Sequence, residues 1–176
     1  MNIAKEHKTI EAALDNYRAQ LDTIPDELFT VTPPGGGWSY AEVYSHILKT
    51  TLGSSINVER CANGTTEPTK KGPTFIGKLM MFTGRFPPIR VKVPKAVADK
   101  TPVEKISKEE AKNLIIKCRK RIGNVMPLIK GATPDARSKH ARLGMLNAPQ
   151  WFKFMRIHAL HHLEQLARIQ KKFQTK

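Results

Sequence analysis

The sequence predicts an all-α fold, a four-helix bundle whose second and third helices are joined by a long crossover. Four stretches place apolar residues at helical spacing, and three of them begin with a serine or asparagine N-cap. Residues 64–106, which contain six of the twelve prolines, separate the second stretch from the third. With 176 residues, 40% of them hydrophobic, the chain is expected to form a single domain over 1–176.

The first helix is predicted to lie before Pro25, because proline limits a helix. Its apolar residues recur at spacings of four and three, which places them on one helix face. These residues are Ile3, His7, Ile10, Leu14, Tyr17 and Leu21. The TPPGGG run at 32–37 then predicts a loop.

The second helix is predicted to begin after Ser39 and to end at Asn63-Gly64. Ser39 and Glu42 have the spacing of a capping box, in which each side chain binds the backbone amide of the other residue. Most apolar positions then fall on one side of the helix. They are Val43, His46, Ile47, Thr50, Val58 and Cys61.

The crossover at 64–106 is predicted to be irregular, with one short helix around 75–82 and an extended stretch at 89–94. Its 43 residues can traverse the whole bundle, whereas the short link between the first two helices predicts antiparallel neighbours. The predicted topology is therefore up-down-down-up, with the second and fourth helices antiparallel.

The third helix is predicted to begin at Ser107, with Glu110 completing a second capping box, and to end or kink at Pro127. Residues 131–146 are predicted to form a loop. Asn147 then caps a fourth helix whose first turn contains a proline. Its inward positions are Trp151, Phe154, Met155, His158, His162, Leu166 and Ile169.

Three of the six histidines crowd the fourth helix. His158 and His162 lie one turn and about 40° apart on one face. In a bundle about 30 Å long, His46 lies about 10 Å below the top of the second helix, and the pair lies about 15–21 Å above the bottom of the fourth. The three histidines can therefore converge on a divalent metal, as a three-ligand site with an open fourth position.

The remaining histidines are expected to have other roles. His7 is predicted to be partly buried and hydrogen-bonded, and His140 to be exposed or to anchor a loop. His161 is predicted to form a hydrogen bond at the bundle edge, about 100° around the helix from His162, although it could replace His162 as a ligand.

The charge of +15 is unevenly placed. Residues 1–67 contain five Lys/Arg and nine Asp/Glu, and residues 68–176 contain 25 Lys/Arg and six Asp/Glu, so the two parts have net charges of −4 and +19. A field of this sign attracts acidic small molecules or polyanions. We rank nucleic-acid binding below a solvated lysine-rich surface, because the basic stretch at 117–121 has no aromatic neighbours.

The cellular compartment is also predicted from composition. The apolar runs are too short for a membrane span, so we expect no membrane association. The first eight residues place charges where a signal peptide has its apolar region, which predicts a cytoplasmic protein. Cys61 and Cys118, isolated in predicted helices, are expected to be buried reduced thiols.

A series of short motifs in this order is similar to the DinB-like superfamily, which includes metal-binding helical bundles. The motif residues are Gly37-Trp38-Ser39, His46, Trp151, His158, His162 and Gln165. The resemblance covers the helix order and implies that three histidines, His46, His158 and His162, bind Zn²⁺ or Ni²⁺ with water completing the shell. Imidazole suits either metal.

Other residues near these motifs have candidate supporting roles. Gln165 and Glu164 are candidates for hydrogen bonds that orient a ligand imidazole. Trp38 and Trp151 are expected in the core or the pocket wall.

The resemblance implies a thiol S-transferase or a thiol-dependent isomerase that uses a low-molecular-weight thiol. The basic half of the chain favours an anionic thiol. Hydrolysis by activated water is an alternative, with Glu42 the best nearby carboxylate, although capping already explains that residue. A non-catalytic, stress-related metal-binding bundle and a nucleic-acid-binding protein are further alternatives, and a homodimer is left open.

Overall fold

The computed structural model of the chain describes residues 1–87 and 103–174. Its regular elements, in chain order, are α1 (Ile3–Thr23), α2 (Asp26–Phe29), α3 (Tyr40–Ala62), α4 (Phe75–Thr83), α5 (Lys108–Val125), a 3₁₀ turn (Pro127–Gly131), β1 (Arg137–His140), β2 (Gly144–Asn147) and α6 (Ala148–Gln174).

The four long helices, α1, α3, α5 and α6, are the four predicted ones, and the short helix predicted around 75–82 is α4. Each predicted N-cap is present. Ser39 and Glu42 form both halves of the capping box at the start of α3, Ser107 accepts from the amide of Glu110, and Asn147 accepts from the amide of Gln150. Capping therefore fixed these helix starts as the sequence indicated.

The helix directions confirm the up-down-down-up topology. Contacts run in the same order along α1 and α6 and along α3 and α5, so the helices of each pair are parallel. They run in opposite order between α3 and α6 and between α1 and α5. The contacts are His7–Phe152 and Tyr17–Ala159 (α1–α6), Leu48–Cys118 and Glu59–Arg121 (α3–α5), Tyr40–Phe173 and His46–His158 (α3–α6), and Asp22–Lys112 and Asp15–Arg119 (α1–α5).

One expectation about neighbouring helices is wrong. α1 and α3 do not pack side by side; α5 and α6 each pack against both of them. The two helices instead meet across the core through Tyr17 and Tyr44, whose rings make an edge contact with centroids 5.6 Å apart. The Tyr44 hydroxyl donates to the Tyr17 carbonyl at 2.8 Å. Two large rings between the helices keep them diagonal.

The prediction of a loop at 131–146 is also wrong in part. This segment contains the end of the 3₁₀ turn and an antiparallel hairpin in which Arg137 pairs with Asn147 and His140 with Gly144. The strands have four residues each, and the first, RSKH, contains no apolar residue, so no polar–apolar period of two can be recognised. The extended stretch predicted at 89–94 lies outside the described residues.

The core confirms the expectation for the thiols. Cys61 and Cys118 are buried and unpaired with each other, and burial raises the pKa of the Cys118 thiol to about 12. Among the described residues, no helix is long and apolar enough to cross a membrane.

Candidate metal centre

Three imidazole rings from two antiparallel helices converge near the middle of the bundle. His46 lies two turns into α3, and His158 and His162 lie one turn apart on α6. The Nε2 atom of His158 lies 3.3 Å from Nε2 of His46 and 2.9 Å from Nε2 of His162. A ligand nitrogen from each ring lies within 4.8 Å of the other two. The structure thus brings together the three histidines that the sequence selected.

These separations suit the ligands of one small cation. With metal–nitrogen distances of about 2.0–2.1 Å, two ligands lie about 2.9 Å apart at a ~90° angle and about 3.3 Å apart at a tetrahedral angle. The two observed separations, 2.9 and 3.3 Å, match these values. The cluster can therefore occupy three adjacent positions around a tetrahedral or six-coordinate ion, with the remaining positions open.

Burial keeps the three rings neutral. His158 and His162 are 7% and 6% exposed, and His46 is partly exposed. Burial, reinforced by the neighbouring imidazoles, lowers the pKa of His158 well below its usual range and that of His162 to about 3. Burial and then His161 lower the pKa of His46 to about 4. Neutral imidazoles are the form that binds metals.

Gln165 orients the ring of His162. Its Oε1 lies 2.7 Å from Nδ1 of His162, one turn further along α6. A carbonyl oxygen can only accept, so Nδ1 donates and Nε2 of His162 has a free lone pair. This contact agrees with the role that the sequence suggested for Gln165. Glu164, the other candidate, is exposed and lies 3.9 Å from Arg168.

The three neutral imidazoles cannot form hydrogen bonds across both of their short nitrogen–nitrogen contacts. If His158 has its proton on Nε2, it can donate fully to only one of its two neighbours. If that proton is on Nδ1 instead, the lone pair of His158 Nε2 faces the lone pair of His162. One of the two short nitrogen pairs therefore lacks a hydrogen bond in either tautomer. A cation between the rings accepts all three lone pairs, so the donor set fits a metal.

Aromatic side chains surround the histidine cluster. The Trp38 ring stacks on His162 at a centroid distance of 6.4 Å and lies 5.0 Å from His46. Phe154 stacks on His158 at 5.1 Å from one turn earlier on α6. Trp38 therefore forms part of the wall of the site, as predicted, and these rings limit the polar surface beside the cluster.

Phe86 completes this wall and was missed by sequence reasoning. Its ring lies 5.9 Å from His158 and 4.5 Å from His161. It follows α4 in the crossover, where no periodicity or motif marks it. Trp38, His46, Phe86 and His161 are all partly exposed, so they surround the open side of the cluster.

The other histidines do not contribute to the cluster. His161 is half-buried beside Phe86 at the edge, and among the described residues it packs against rings and forms no hydrogen bond. His140 anchors the hairpin turn, since its Nδ1 accepts from the amides of Arg142 and Leu143 at 3.1 and 3.2 Å. It is not exposed, because its ring packs on Trp151 and Phe154.

The hydrogen bond predicted for His7 is absent among the described residues. Its Nε2 is buried without a hydrogen-bond partner, and the nearest carboxylate oxygen, on Glu11, is 3.7 Å away. The ring instead lies parallel to Phe152, with its centroid 6.5 Å away. Aromatic packing between α1 and α6 fills this position, so His7 has no place in the candidate metal centre.

The two remaining candidates have structural contacts. Glu42 accepts from the amide and hydroxyl of Ser39 at 2.8 and 2.7 Å, as its capping role requires. Trp151 is buried beside His140 and Phe154. In the described part of the chain, the groups able to share a metal contain no carboxylate.

The fold and site define a class of protein: an up-down-down-up four-helix bundle with a three-histidine cluster between antiparallel helices. The chain belongs to the DinB superfamily, whose family model matches residues 9–166. The match contains the whole cluster. No curated protein matches the chain significantly.

Solved structures with this fold are distant in sequence. The four-helix bundle protein TT2238 superposes with a TM-score of 0.61 at 16% identity, covering 95% of this chain and 99% of that one. YfiT from Bacillus subtilis superposes with a TM-score of 0.64 at 15% identity, covering 99% of this chain and 89% of that one. YfiT is described as a probable metal-dependent hydrolase with an unusual four-helix bundle topology. At these identities the likeness shows the shared fold.

Proposed function

We propose that this protein is a metal-dependent enzyme in which His46, His158 and His162 bind Zn²⁺ or Ni²⁺. The observation that most supports this proposal is that the Nε2 atoms of three neutral histidines converge, two of them 2.9 Å apart, and that one of the two short nitrogen contacts has no hydrogen bond. Histidine ligands suit both metals, and three of them leave an open position for a small molecule.

We further propose that the reaction is the transfer of a low-molecular-weight thiol to an electrophile. A bound divalent cation favours thiolate over thiol, and thiolate is the nucleophile. Water is a much weaker acid than a thiol and benefits more from a nearby base. Glu42, the best carboxylate for that task, is held by Ser39 in the capping box. The absence of a free carboxylate from the described cluster thus favours a thiol.

The chain's own side chains position the reactants in this reaction. Gln165 holds the His162 ring in the orientation that directs Nε2 inward. Trp38 and Phe86 give the open side two aromatic surfaces, which suit an apolar electrophile. The proton released by the thiol passes to solvent on that side, where His46 is partly exposed.

The co-substrate in this proposal is an anionic thiol with carboxylate or phosphate groups. The +19 charge of residues 68–176 raises the local concentration of anions. Arg85, which is exposed, precedes Phe86 at the open side. An anionic thiol should therefore react faster than a neutral thiol of similar size, and added salt should reduce the difference.

Hydrolysis is the second candidate, because YfiT, which shares the fold, is described as a probable metal-dependent hydrolase. In that case water would replace the thiol, and activity would not require thiol addition. The two candidates share the metal site and differ in the nucleophile.

A paired assay tests the proposal. Untagged protein is analysed for metal, reconstituted with zinc or nickel, and assayed with a panel of thiols and a generic electrophile, and separately with ester and amide substrates. The His158→Ala variant and a reaction without protein are the controls. Thiol-dependent conversion that the variant loses is expected. Equal rates in all three samples for every thiol would contradict transferase activity, and thiol-independent hydrolysis would favour the second candidate.

A further inference from the structure

Helix α4 exposes a continuous apolar stripe. Phe75 and Phe82 are 81% and 90% exposed, and Leu79 between them is 39% exposed. These three residues recur at i, i+4 and i+7, so they share one helix face, and Ile76 beside them is also exposed. Large apolar side chains grouped in this way mark an interaction surface.

The opposite face of α4 fixes the stripe outward. Gly77 and Met80 are buried. A Cβ atom at Gly77 would lie 2.5 Å from the Leu143 carbonyl oxygen, so the helix backbone lies directly against the turn of the β1–β2 hairpin. The Thr74 amide donates to the same carbonyl at 2.8 Å. Contacts with the hairpin turn thus hold α4 in place with the stripe facing outward, and no partner is needed to form it.

The segment that carries the stripe is positively charged. Residues 68–87 contain no Asp or Glu, and their four cations are all exposed: Lys70, Lys71, Lys78 and Arg85. A second copy packed on this stripe would bring eight like charges together, which opposes self-association. A partner with an apolar interior and a negatively charged surface would match both the apolar stripe and the cations.

We propose that α4 binds the surface of an anionic phospholipid bilayer. The phenylalanines and Leu79 insert among the acyl chains near the headgroups, while the lysines and Arg85 contact lipid phosphates and carboxylates. Nine residues are too few to cross a bilayer, so the helix lies in the interface. This proposal departs from the expectation of no membrane association, which rested only on the lack of a spanning segment. The inference does not depend on the metal site.

Vesicle sedimentation of the full chain tests this proposal. The probes are vesicles of phosphatidylcholine alone and of phosphatidylcholine with about 30% phosphatidylserine. Binding to the anionic vesicles should be at least about tenfold tighter and should weaken with salt. The double variant Phe75→Ser/Phe82→Ser should lose binding by about tenfold or more, because it removes the inserted side chains.

Matched control variants test whether vesicle binding depends on the stripe and its cations or on any exposed apolar and basic side chains. Ile56→Ser/Ile116→Ser removes two other exposed apolar side chains, 51% and 59% exposed, and should bind as the wild type does. Lys78→Gln/Arg85→Gln should weaken binding more than Lys117→Gln/Lys120→Gln, which changes exposed lysines on α5. Thermal unfolding checks that every variant is folded.

Three results would overturn the proposal. The first is a wild type that does not bind anionic vesicles. The second is equal loss of binding in the stripe variant and the Ile56/Ile116 control. The third is a dimer in sedimentation velocity that Phe75→Ser/Phe82→Ser dissociates, since a second copy would then cover the stripe.

Discussion

Each histidine of the cluster is held by a different kind of contact. The Gln165 oxygen accepts from Nδ1 of His162, Phe154 stacks on His158, and the Trp38 ring makes a tilted contact with His46. A hydrogen bond fixes both the rotation and the tautomer of a ring, whereas stacking fixes only its plane. The orientation of His162 should therefore be the most sensitive to a single substitution.

We expect Gln165→Ala to weaken metal binding by about 10–100-fold, the usual effect of removing a partner of a ligand histidine. Calorimetric titration of metal-free protein measures it. Gln170→Ala, an exposed position on the same helix, is the matched control and should bind as the wild type does. An equal affinity in both variants would mean that Gln165 does not support the ligand.

The choice between adjacent histidines has its own test. His162→Ala should reduce metal affinity more than His161→Ala, because Nε2 of His162 lies 2.9 Å from Nε2 of His158 while His161 packs on Phe86 at the edge. Titration of both variants with zinc measures the order. The reverse order would assign the ligand to His161.

His140 should contribute to the pH dependence of stability. Burial, and then Arg142, lower its pKa to about 4 in the folded protein, against about 6.5 in an unfolded chain. As pH falls from about 6.5 to about 4, the unfolded chain takes up a proton that the folded protein does not, so stability falls by up to about 1.4 kcal/mol per pH unit. Above that range the residue has no effect.

Denaturant unfolding of metal-free wild type and His140→Gln measures this contribution. The variant cannot titrate there, so its stability should fall less steeply with decreasing pH. The other histidines are common to both proteins. Parallel curves over the whole range would show that His140 does not titrate with a lowered pKa.

The helical period predicted that His158 and His162 share a face, and the estimated heights along the helices predicted that His46 meets them. Gln165 was one of two candidates, with Glu164, beside the motifs shared with the family. Phe86 could not be predicted. It lies in a loop, and only the tertiary fold brings that loop to His158 and His161. His7 has helical periodicity but no hydrogen-bond partner, since periodicity predicts burial and not the chemistry of the neighbour.

At the scale of elements, an ion pair joins α1, α6 and the end of α4. Arg156 donates to Glu6 at 2.5 Å and to the Gly84 carbonyl at 3.3 Å. Its side chain is 16% exposed and that of Glu6 13% exposed. Gly84 lies two residues before Phe86, so this contact also positions the loop that covers one side of the histidine cluster.

Replacing Arg156 by methionine should lower the free energy of unfolding by about 2–3 kcal/mol, because it leaves the Glu6 carboxylate buried without its partner. Arg168→Met removes an exposed cation whose carboxylate partner is 3.9 Å away and should change stability by less than about 0.5 kcal/mol. Chemical denaturation measures both. Equal effects would show that the Glu6 pair is no stronger than a surface pair.

The long helices were predictable because a 3.6-residue period marks each of them and an N-cap marks three. The hairpin at 137–147 was not, since its strands are four residues long and are held by the bundle around them. Leu146, for example, is fully buried, and its carbonyl lies 3.7 Å from the Cys61 sulfur. Such a short element takes its stability from tertiary packing, which local sequence does not record.

At the scale of the whole molecule, some cations of the basic half of the chain are paired with acidic side chains of the first half. On α5, Arg119 binds Glu11 and Asp15, and Arg121 binds Glu59. The basic stretch at 117–121 is therefore only partly available to bind anions, because two of its cations are already paired.

Duplex DNA should accordingly bind weakly, with little sequence preference, and its affinity should fall steeply with salt, because only phosphate neutralisation contributes. Fluorescence anisotropy with two unrelated duplexes at several salt concentrations measures it. Tight, sequence-selective binding at physiological salt would instead place nucleic-acid binding above catalysis.

Link lengths predicted the topology, because a 43-residue crossover between the second and third long helices allows them to run parallel. Which helices are neighbours could not be predicted in the same way. That choice depends on how rings such as Tyr17 and Tyr44 fill the core between four helices, a property of the assembled bundle and not of any one helix.

The account depends most on a metal bound by His46, His158 and His162, and titration of metal-free, untagged protein tests it directly. The wild type should bind one zinc or nickel ion per chain and gain about 2.7 kcal/mol of stability when free metal exceeds the dissociation constant by about a hundredfold. His46→Ala, His158→Ala and His162→Ala should each weaken binding by about a hundredfold or more, while His140→Ala should bind normally. Unchanged affinity in the three variants, or no binding by the wild type, would contradict the account.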